Sequence, residues 1–519
     1  MKRGRVYLLL TVVLAVPLLL VGCHGGTAGP GPAPGPITDA VLQAAVDTQI
    51  ALNPTPSAID SDCATELCGL LNDPPASSDE IRAALVDFTA KVNANPDQAA
   101  CQLGLCLLML ARAADNIAAD LGTDLFEEIA NLNLQSIATL ASAQGPGGLV
   151  TRYKNLFPNP PCATDTAQVG RLNTSQFSDA DVEAALRAHM LPILYNPAGG
   201  IYQRMAKFGD CGCADPLVEL GDVGGSVYTL YTCDFNMFAA DAAGLYAALL
   251  EDMAYNVQLN GWTPPEDPHD MDSNHDGFLD PNEYFPPEPF GTLKPNGATE
   301  LGIARERYLD AIARAKTALT TIPDDPTDLL NMLFVSLDEE LGYIIVVQVD
   351  PPENSIEALM LILDHFGALL QGEQTLELEY WAEGEAHATM PFRVNVAQMY
   401  LSPVTDFREL APRMTITRIE PTATSPATAD EYGVTFDFQD FPDPTFNGVV
   451  PDTLALLAAL AQADWLQLNH AGQVWGPISV NEALGFFRFG DGTAFWLTEE
   501  DLEMFREWTD EWLGYIIVV

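Results

Sequence analysis

The sequence predicts a mainly α protein with a smaller C-terminal α+β part, in which helical hairpins are followed by an antiparallel β region. Three observations carry this reading. Apolar residues recur at helical spacing over most of 37–260, and again over 298–321 and 355–370. A helix start is written in side chains at Ser77-Ser78-Asp79-Glu80, a capping box whose serine oxygen and glutamate satisfy amides that no helical turn can reach. From Leu376 onward the apolar period drops from 3.6 to two.

The 519 residues are too many for one core, and a hydrophobic content of 48% is enough to bury several. We divide the chain into 1–22, an N-terminal apolar segment; 23–36, a Gly/Pro linker opened by Cys23; 37–260, a helical domain; 261–291, an acidic loop segment; 292–372, a helical segment; and 373–519, an α+β domain. The formal net charge of −49 repels nucleic acid and anionic lipid surfaces and attracts cations. Solubility or a salty habitat accounts for most of that charge.

The chain opens with Lys2, Arg3 and Arg5, then an apolar run from Val6 to Val21 that is short for a spanning helix. The run ends at Leu20-Val21-Gly22-Cys23, which resembles the lipobox of bacterial lipoproteins. The resemblance implies cleavage before Cys23 and lipidation of that residue, hence a membrane anchor in the bacterial cell envelope, facing periplasm or exterior. His24 in place of an aspartate favours the outer membrane by the enterobacterial rule. An uncleaved membrane anchor is the alternative. No other segment reads as long and apolar enough to span a bilayer. His24–Pro36, rich in glycine and proline, reads as a tether between lipid and body.

Within the helical region the pattern predicts helices over 37–52, 77–93, 98–121, 178–194 and 239–259; Ser178-Asp179-Ala180-Asp181 is a weaker capping signal. The pair 81–88 and 98–110, broken by Asn95-Pro96-Asp97, resembles a tetratricopeptide-like helix hairpin. Only one such unit is found, whereas a solenoid needs about three repeats to bury its faces. The stripe Leu107–Leu110 reads as core. Without Cys23, eight cysteines remain for an oxidising compartment: Cys63, Cys68, Cys101, Cys106, Cys162, Cys211, Cys213 and Cys233. Four disulfides are the default expectation, and the twin C-x4-C spacings at 63/68 and 101/106 suit two cross-links between neighbouring helices. A zinc site from Cys211, Cys213 and Cys233 is the alternative, without a C-x2-C knuckle or a spaced histidine pair to support it.

The one stretch that specifies a chemistry is Asp272-Ser273-Asn274-His275-Asp276-Gly277-Phe278-Leu279-Asp280-Pro281-Asn282-Glu283. Counting Asp272 as place one, side-chain oxygens fall at places one, three and five (Asp272, Asn274, Asp276), and Asp280 at nine ligates directly or through water. Glu283 at twelve closes the shell as a bidentate carboxylate. Gly277 at six takes the sharp turn, Phe278 at seven offers its carbonyl, and Leu279 at eight points inward. The spacing resembles an EF-hand loop, which implies calcium. The alternative is an acidic, Asn/Gly-rich turn in a very acidic protein. Proline on both sides (Pro264, Pro265, Pro268; Pro286, Pro287, Pro289) bars long flanking helices. The loop is therefore expected to be isolated and exposed, to bind on the order of 10⁻⁴ to 10⁻³ M, and to clip the helical region to the helices at 298–370.

Residues 298–321 carry Arg305, Arg307, Arg314 and Lys316, a concentration of scarce positive charge expected to pair with the acidic body. Beyond them, 376–380 and 390–396 alternate as a hairpin, with further strands at 414–418 and 433–438 and a turn-rich loop at 441–448. Glu377 and Glu379 share a strand face about 7 Å apart. Such a pair can serve acid/base hydrolysis of a glycoside, though a solvated face is the plainer reading. Ser402–Pro412 and Phe441–Pro451 loosely resemble uncharacterised bacterial lipoproteins that join a helical region to a small α+β part; that resemblance implies no activity. Helices are expected at 453–463 and 498–512. The segment 338–347 recurs as 510–519 with one mismatch, and both copies, ending in Tyr-Ile-Ile-Val-Val, are expected to be buried in sheet.

No G-x-S-x-G elbow, H-E-x-x-H, P-loop or dinucleotide fingerprint is present, and His189 and His365 read as core or surface. The sequence thus favours a calcium-binding, lipid-anchored envelope protein with a binding or scaffold role toward protein or glycan, and no enzyme. The alternative is a calcium-dependent hydrolase of polysaccharide using Glu377 and Glu379.

Overall fold

A computed structural model describes residues 37–121 (except 59, 60 and 76), 179–257 (except 214, 224 and 225), 268–331 (except 326), 345–347, 355–380, 388–418, 432–436, 441–452, 484–489 and 493–497. The described chain is mainly helical, with short strands whose pairings are all antiparallel. It divides into two compact units: Met1–Met253 with Ile303–Gly342, and Ala254–Gly302 with Tyr343–Val519.

The first unit is built around one helix. Helices α1 (Ala40–Val46), α2 (Asp62–Asn72), α3 (Ser78–Ala94) and α4 (Ala99–Asp120) come first in the chain. Ser77 caps α3 by accepting from Glu80 N, and Asn95–Gln98 turns the chain into α4. Helix α4 buries most of its residues and lies in the core. By length and composition it could cross a bilayer, contrary to the reading that only the N-terminal run could; yet 67% of its most apolar window is buried in this unit. Its partner α3 comes so close that a Cβ on Gly104 would lie 2.1 Å from the Phe88 ring.

Next come α5 (Asp179–Ala185), a π turn (Leu186–Met190), α6 (Leu191–Leu194) and α7 (Ile201–Gly209). The π turn directly precedes Pro192, whose missing N–H removes a helical hydrogen bond. Arg204 on α7 is fully buried and donates to the carbonyls of Ala45, Val46 and Thr48, thus covering the open end of α1, as well as to Gln102 Oε1. A hairpin, β1 (Val218–Val223) and β2 (Ser226–Leu230), leads into α8 (Thr232–Ala254). This hairpin, α2 and α7 were not anticipated. The expected internal use of basic residues is seen at Arg314, which pairs with Asp210 and Asn236, and at Arg307, which stacks on Tyr195 and pairs with Asp310.

The second unit carries α9 (Pro268–Met271), β3 (Phe278–Leu279), α10 (Pro281–Tyr284) and the first residues of α11 (Gly297–Thr320). Then follow β4 (Ile345–Val347), α12 (Ser355–Gln371), β5 (Gln374–Tyr380), β6 (Ala388–Val394), α13 (Ala397–Leu401), β7 (Met414–Arg418), β8 (Tyr432–Phe436), β9 (Leu484–Phe489) and β10 (Thr493–Leu497). Five strands form a sheet in the order β4-β10-β9-β5-β6, and three form another in the order β3-β7-β8. The expected hairpin is β5–β6, in register from Gln374 opposite Val394 to Tyr380 opposite Ala388. Strands β9 and β10 were missed although Gly490-Asp491-Gly492 between them is a hairpin signal. The first Ile-Ile-Val-Val copy supplies β4, which pairs with β10 at one end of the strand order among the described residues. The copy at 510–519 and the expected helices 453–463 and 498–512 lie outside the described residues.

Candidate metal centre

The segment Asp272–Glu283 follows the single-turn helix α9 and ends inside the single-turn helix α10, both kept short by the flanking prolines. Gly277 adopts φ +85 with open space around it, so the demand for glycine is conformational and not steric. Two side-chain oxygens, Asp272 Oδ1 and Asn274 Oδ1, accept from the same amide, Asp276 N, at 3.2 and 2.8 Å. Asp272 Oδ2 accepts from Gly277 N at 2.8 Å and Asp276 Oδ1 from Phe278 N at 3.0 Å. Glu283 closes the ring: Oε1 accepts from Ser273 N and Oγ, and Oε2 from Asp280 N at 3.0 Å. Asp272 is 2% exposed. Burial acts to raise its carboxyl, but the amides of Gly277, Asp276 and His275 outweigh that and hold it below the ordinary range. The donors are all oxygens, the chemistry that a hard cation takes.

The loop is docked on a strand. Its short strand β3 pairs with β7, Phe278 opposite Thr415 and Leu279 opposite Met414, and Ile416 N donates to Gly277 O at 3.0 Å. Leu279 is fully buried in a cluster with Met271, Tyr284 and Met414. The docking uses β7 because its alternating stretch supplies a strand edge that a helix cannot. The loop's carboxylates also meet one cation of the chain: Arg413 pairs with Asp276 Oδ2 at 2.6 Å and Asp280 Oδ1 at 3.0 Å, and stacks 4.0 Å over the Phe278 ring.

The cysteines depart from the four-disulfide expectation. Cys63 of α2 and Cys101 of α4 are joined, and Cys211 is joined to Cys213; Cys23 and Cys162 lie outside the described residues. The second cross-link of the twin spacing fails because residues five apart on a helix point about 140° apart. Cys106 accordingly faces a different way from Cys101 and is a buried thiol, pushed up to about 12 by that burial. The Cys211/Cys213/Cys233 zinc set does not form either, since the first two bond each other. Cys233 instead lies with Asp234 and Asp328, all three buried. That grouping was not legible in the sequence, because Asp328 is far along the chain and carries no motif.

Glu377 and Glu379 lie on β5, inside the five-stranded sheet, with Glu377 in register with Arg488 of β9. Their side chains lie outside the described residues. His189 is buried with Nε2 2.7 Å from Asp120 Oδ2, and His365 is buried on α12; neither joins a cluster of metal-ligating groups among the described residues. In comparisons with known proteins, no protein family, no curated protein and no solved structure matches the chain.

Proposed function

We propose that the protein is a calcium-binding, lipid-anchored protein of the bacterial cell envelope, with a binding or scaffold role toward protein or glycan. The observation that supports it best is the ring of oxygens at Asp272, Asn274, Asp276 and Glu283, drawn by backbone amides, that of Asp280 among them, onto one left-handed turn and docked on β7. Those side chains would hold Ca²⁺, with the carbonyl of Phe278 in place seven. The ion would replace amides as the partner of the carboxylates and tighten the β3–β7 contact. Lipidation of Cys23 would place the body at a membrane through the Gly/Pro tether.

The test is melting with calcium and with chelator. At about 100 times the dissociation constant, calcium raises the stability of the wild type by about 2.7 kcal/mol, and Glu283→Ala loses most of that shift. A wild-type transition indifferent to calcium removes the reading. For the anchor, Cys23→Ser moves the chain from the membrane to the soluble fraction of fractionated cells.

A further inference from the structure

Away from the calcium loop, the helical unit contains a buried group that neither helix packing nor the proposed calcium site uses. Strand β2 ends at Leu230, and Tyr231 and Thr232 turn the chain into α8, placing Cys233 and Asp234 in its first turn. Asp325, Thr327 and Asp328 dock beside the same strand: Thr229 N donates to Thr327 O at 2.9 Å, and Tyr231 Oη donates to Asp325 Oδ2 at 2.7 Å. That docking delivers Asp328 to Cys233. The thiol lies 3.6 Å from Asp234 Oδ2 and 3.8 Å from Asp328 Oδ2, and one ligand atom from each of the three lies within 4.8 Å of the others.

Each carboxylate uses one oxygen on a helix start. Asp234 Oδ2 accepts from Tyr231 N at 2.7 Å, reaching back across the first turn of α8, and Asp328 Oδ1 accepts from Asn331 N at 2.7 Å ahead of the helical residues 329–331. Asp234 Oδ1 is left buried without a hydrogen-bond partner, on a residue that is 1% exposed. Among the described residues no ion pair reaches Asp234 or Asp328. Burial, and then the facing Asp328 carboxylate, push Asp234 well above the carboxylate range, and burial pushes the Cys233 thiol up as well. Two carboxylates and a thiol this close, out of water, need neutralising by a proton or by a cation.

We propose that Cys233, Asp234 and Asp328 form a buried site for one divalent transition metal of the zinc class. The donor set selects the class: sulfur with two carboxylate oxygens suits zinc and its neighbours, and a thiolate at the vertex disfavours calcium and magnesium. The Tyr231 and Asn331 amides orient the two carboxylates as outer-shell partners. Binding expels the Cys233 thiol proton and any proton shared by the carboxyl pair, so uptake releases acid to solvent and is coupled to folding of this unit.

The full chain is loaded with zinc or cobalt in excess calcium, so that the loop at 272–283 is already filled, and then freed of loose metal by gel filtration. One zinc per chain is expected, and the cobalt form is expected to show thiolate-to-cobalt charge-transfer absorption that Cys233→Ser abolishes. Asp328→Asn, near-isosteric and uncharged, is expected to lose the metal while keeping its calcium-dependent melting shift. A wild type that retains no zinc and shows no such absorption overturns the proposal, whatever the variants do. So does absorption that survives Cys233→Ser.

Discussion

In the proposed calcium loop, Arg413 already occupies two of the oxygens that a cation would want, on Asp276 and Asp280. Both pairs are partly exposed, so each is worth less than 1 kcal/mol, but a calcium ion has to displace both. Arg413→Gln is therefore expected to strengthen calcium binding by about 1 kcal/mol, roughly fivefold, in titration calorimetry; weaker binding would show that Arg413 props the loop and does not compete for it. A second carboxylate has its partners built in. Asp39 caps α1 through Val41 N and Leu42 N and pairs with Arg112 and Asn116. Burial alone would raise its carboxyl, but Asn116, Arg112 and the two amides hold it down to about 2. Its folded value lies below the unfolded one of about 3.9. The stability it contributes is thus fully present at neutral pH and is lost as pH falls from about 4 toward 2. Discounted for solvent screening, that amounts to about 1–2 kcal/mol. The stability gap between wild type and Asp39→Ala in urea should narrow by that amount over the same range, and a gap independent of pH would sink the assignment.

At the scale of elements, the hairpin α3–α4 shows what pattern reading reaches and where it stops. Its capping serine, its asparagine–proline break and its apolar period are all local, so its helices were legible to within a residue. The close approach at Gly104 was not, because a glycine in a helix carries no sign of what faces it. Gly104→Ala gains helix propensity of about 1 kcal/mol. It also drives a methyl into Phe88, which is 3% exposed and has no room to withdraw. Overpacking costs about 1–3 kcal/mol, so we expect net destabilisation, relieved when Phe88→Leu is added; an Ala variant as stable as wild type would contradict the packing. The strand β7 gives the same lesson at the calcium loop: its alternation was readable, but its pairing with two residues far upstream was not.

For the whole molecule, two compact units mean that unfolding need not be a single transition. The proposed calcium loop belongs to the unit of Ala254–Gly302 and Tyr343–Val519, whereas the Cys63–Cys101 bond belongs to the other. Scanning calorimetry is expected to show calcium raising one transition only. The Cys63→Ala/Cys101→Ala double variant is expected to lower the other, by about 4 kcal/mol from the loop entropy of a closure spanning 38 residues. Both perturbations moving the same transition would refute this division of stability.

The sequence by itself determined what depends on neighbours in the chain. It specified the helical character, an antiparallel hairpin of 376–380 with 390–396, the left-handed turn at Gly277 and the order of oxygens from Asp272 to Glu283, since caps, periods and turn residues act over a few positions. Tertiary structure alone decided which distant groups meet. It docked β3 on β7, brought Arg413 to Asp276, set α4 in the core rather than in a bilayer, left Cys106 unbonded and assembled Cys233 with Asp234 and Asp328. Those outcomes turn on burial and on the direction in which a helix or strand points each side chain, quantities that exist only once the chain has folded.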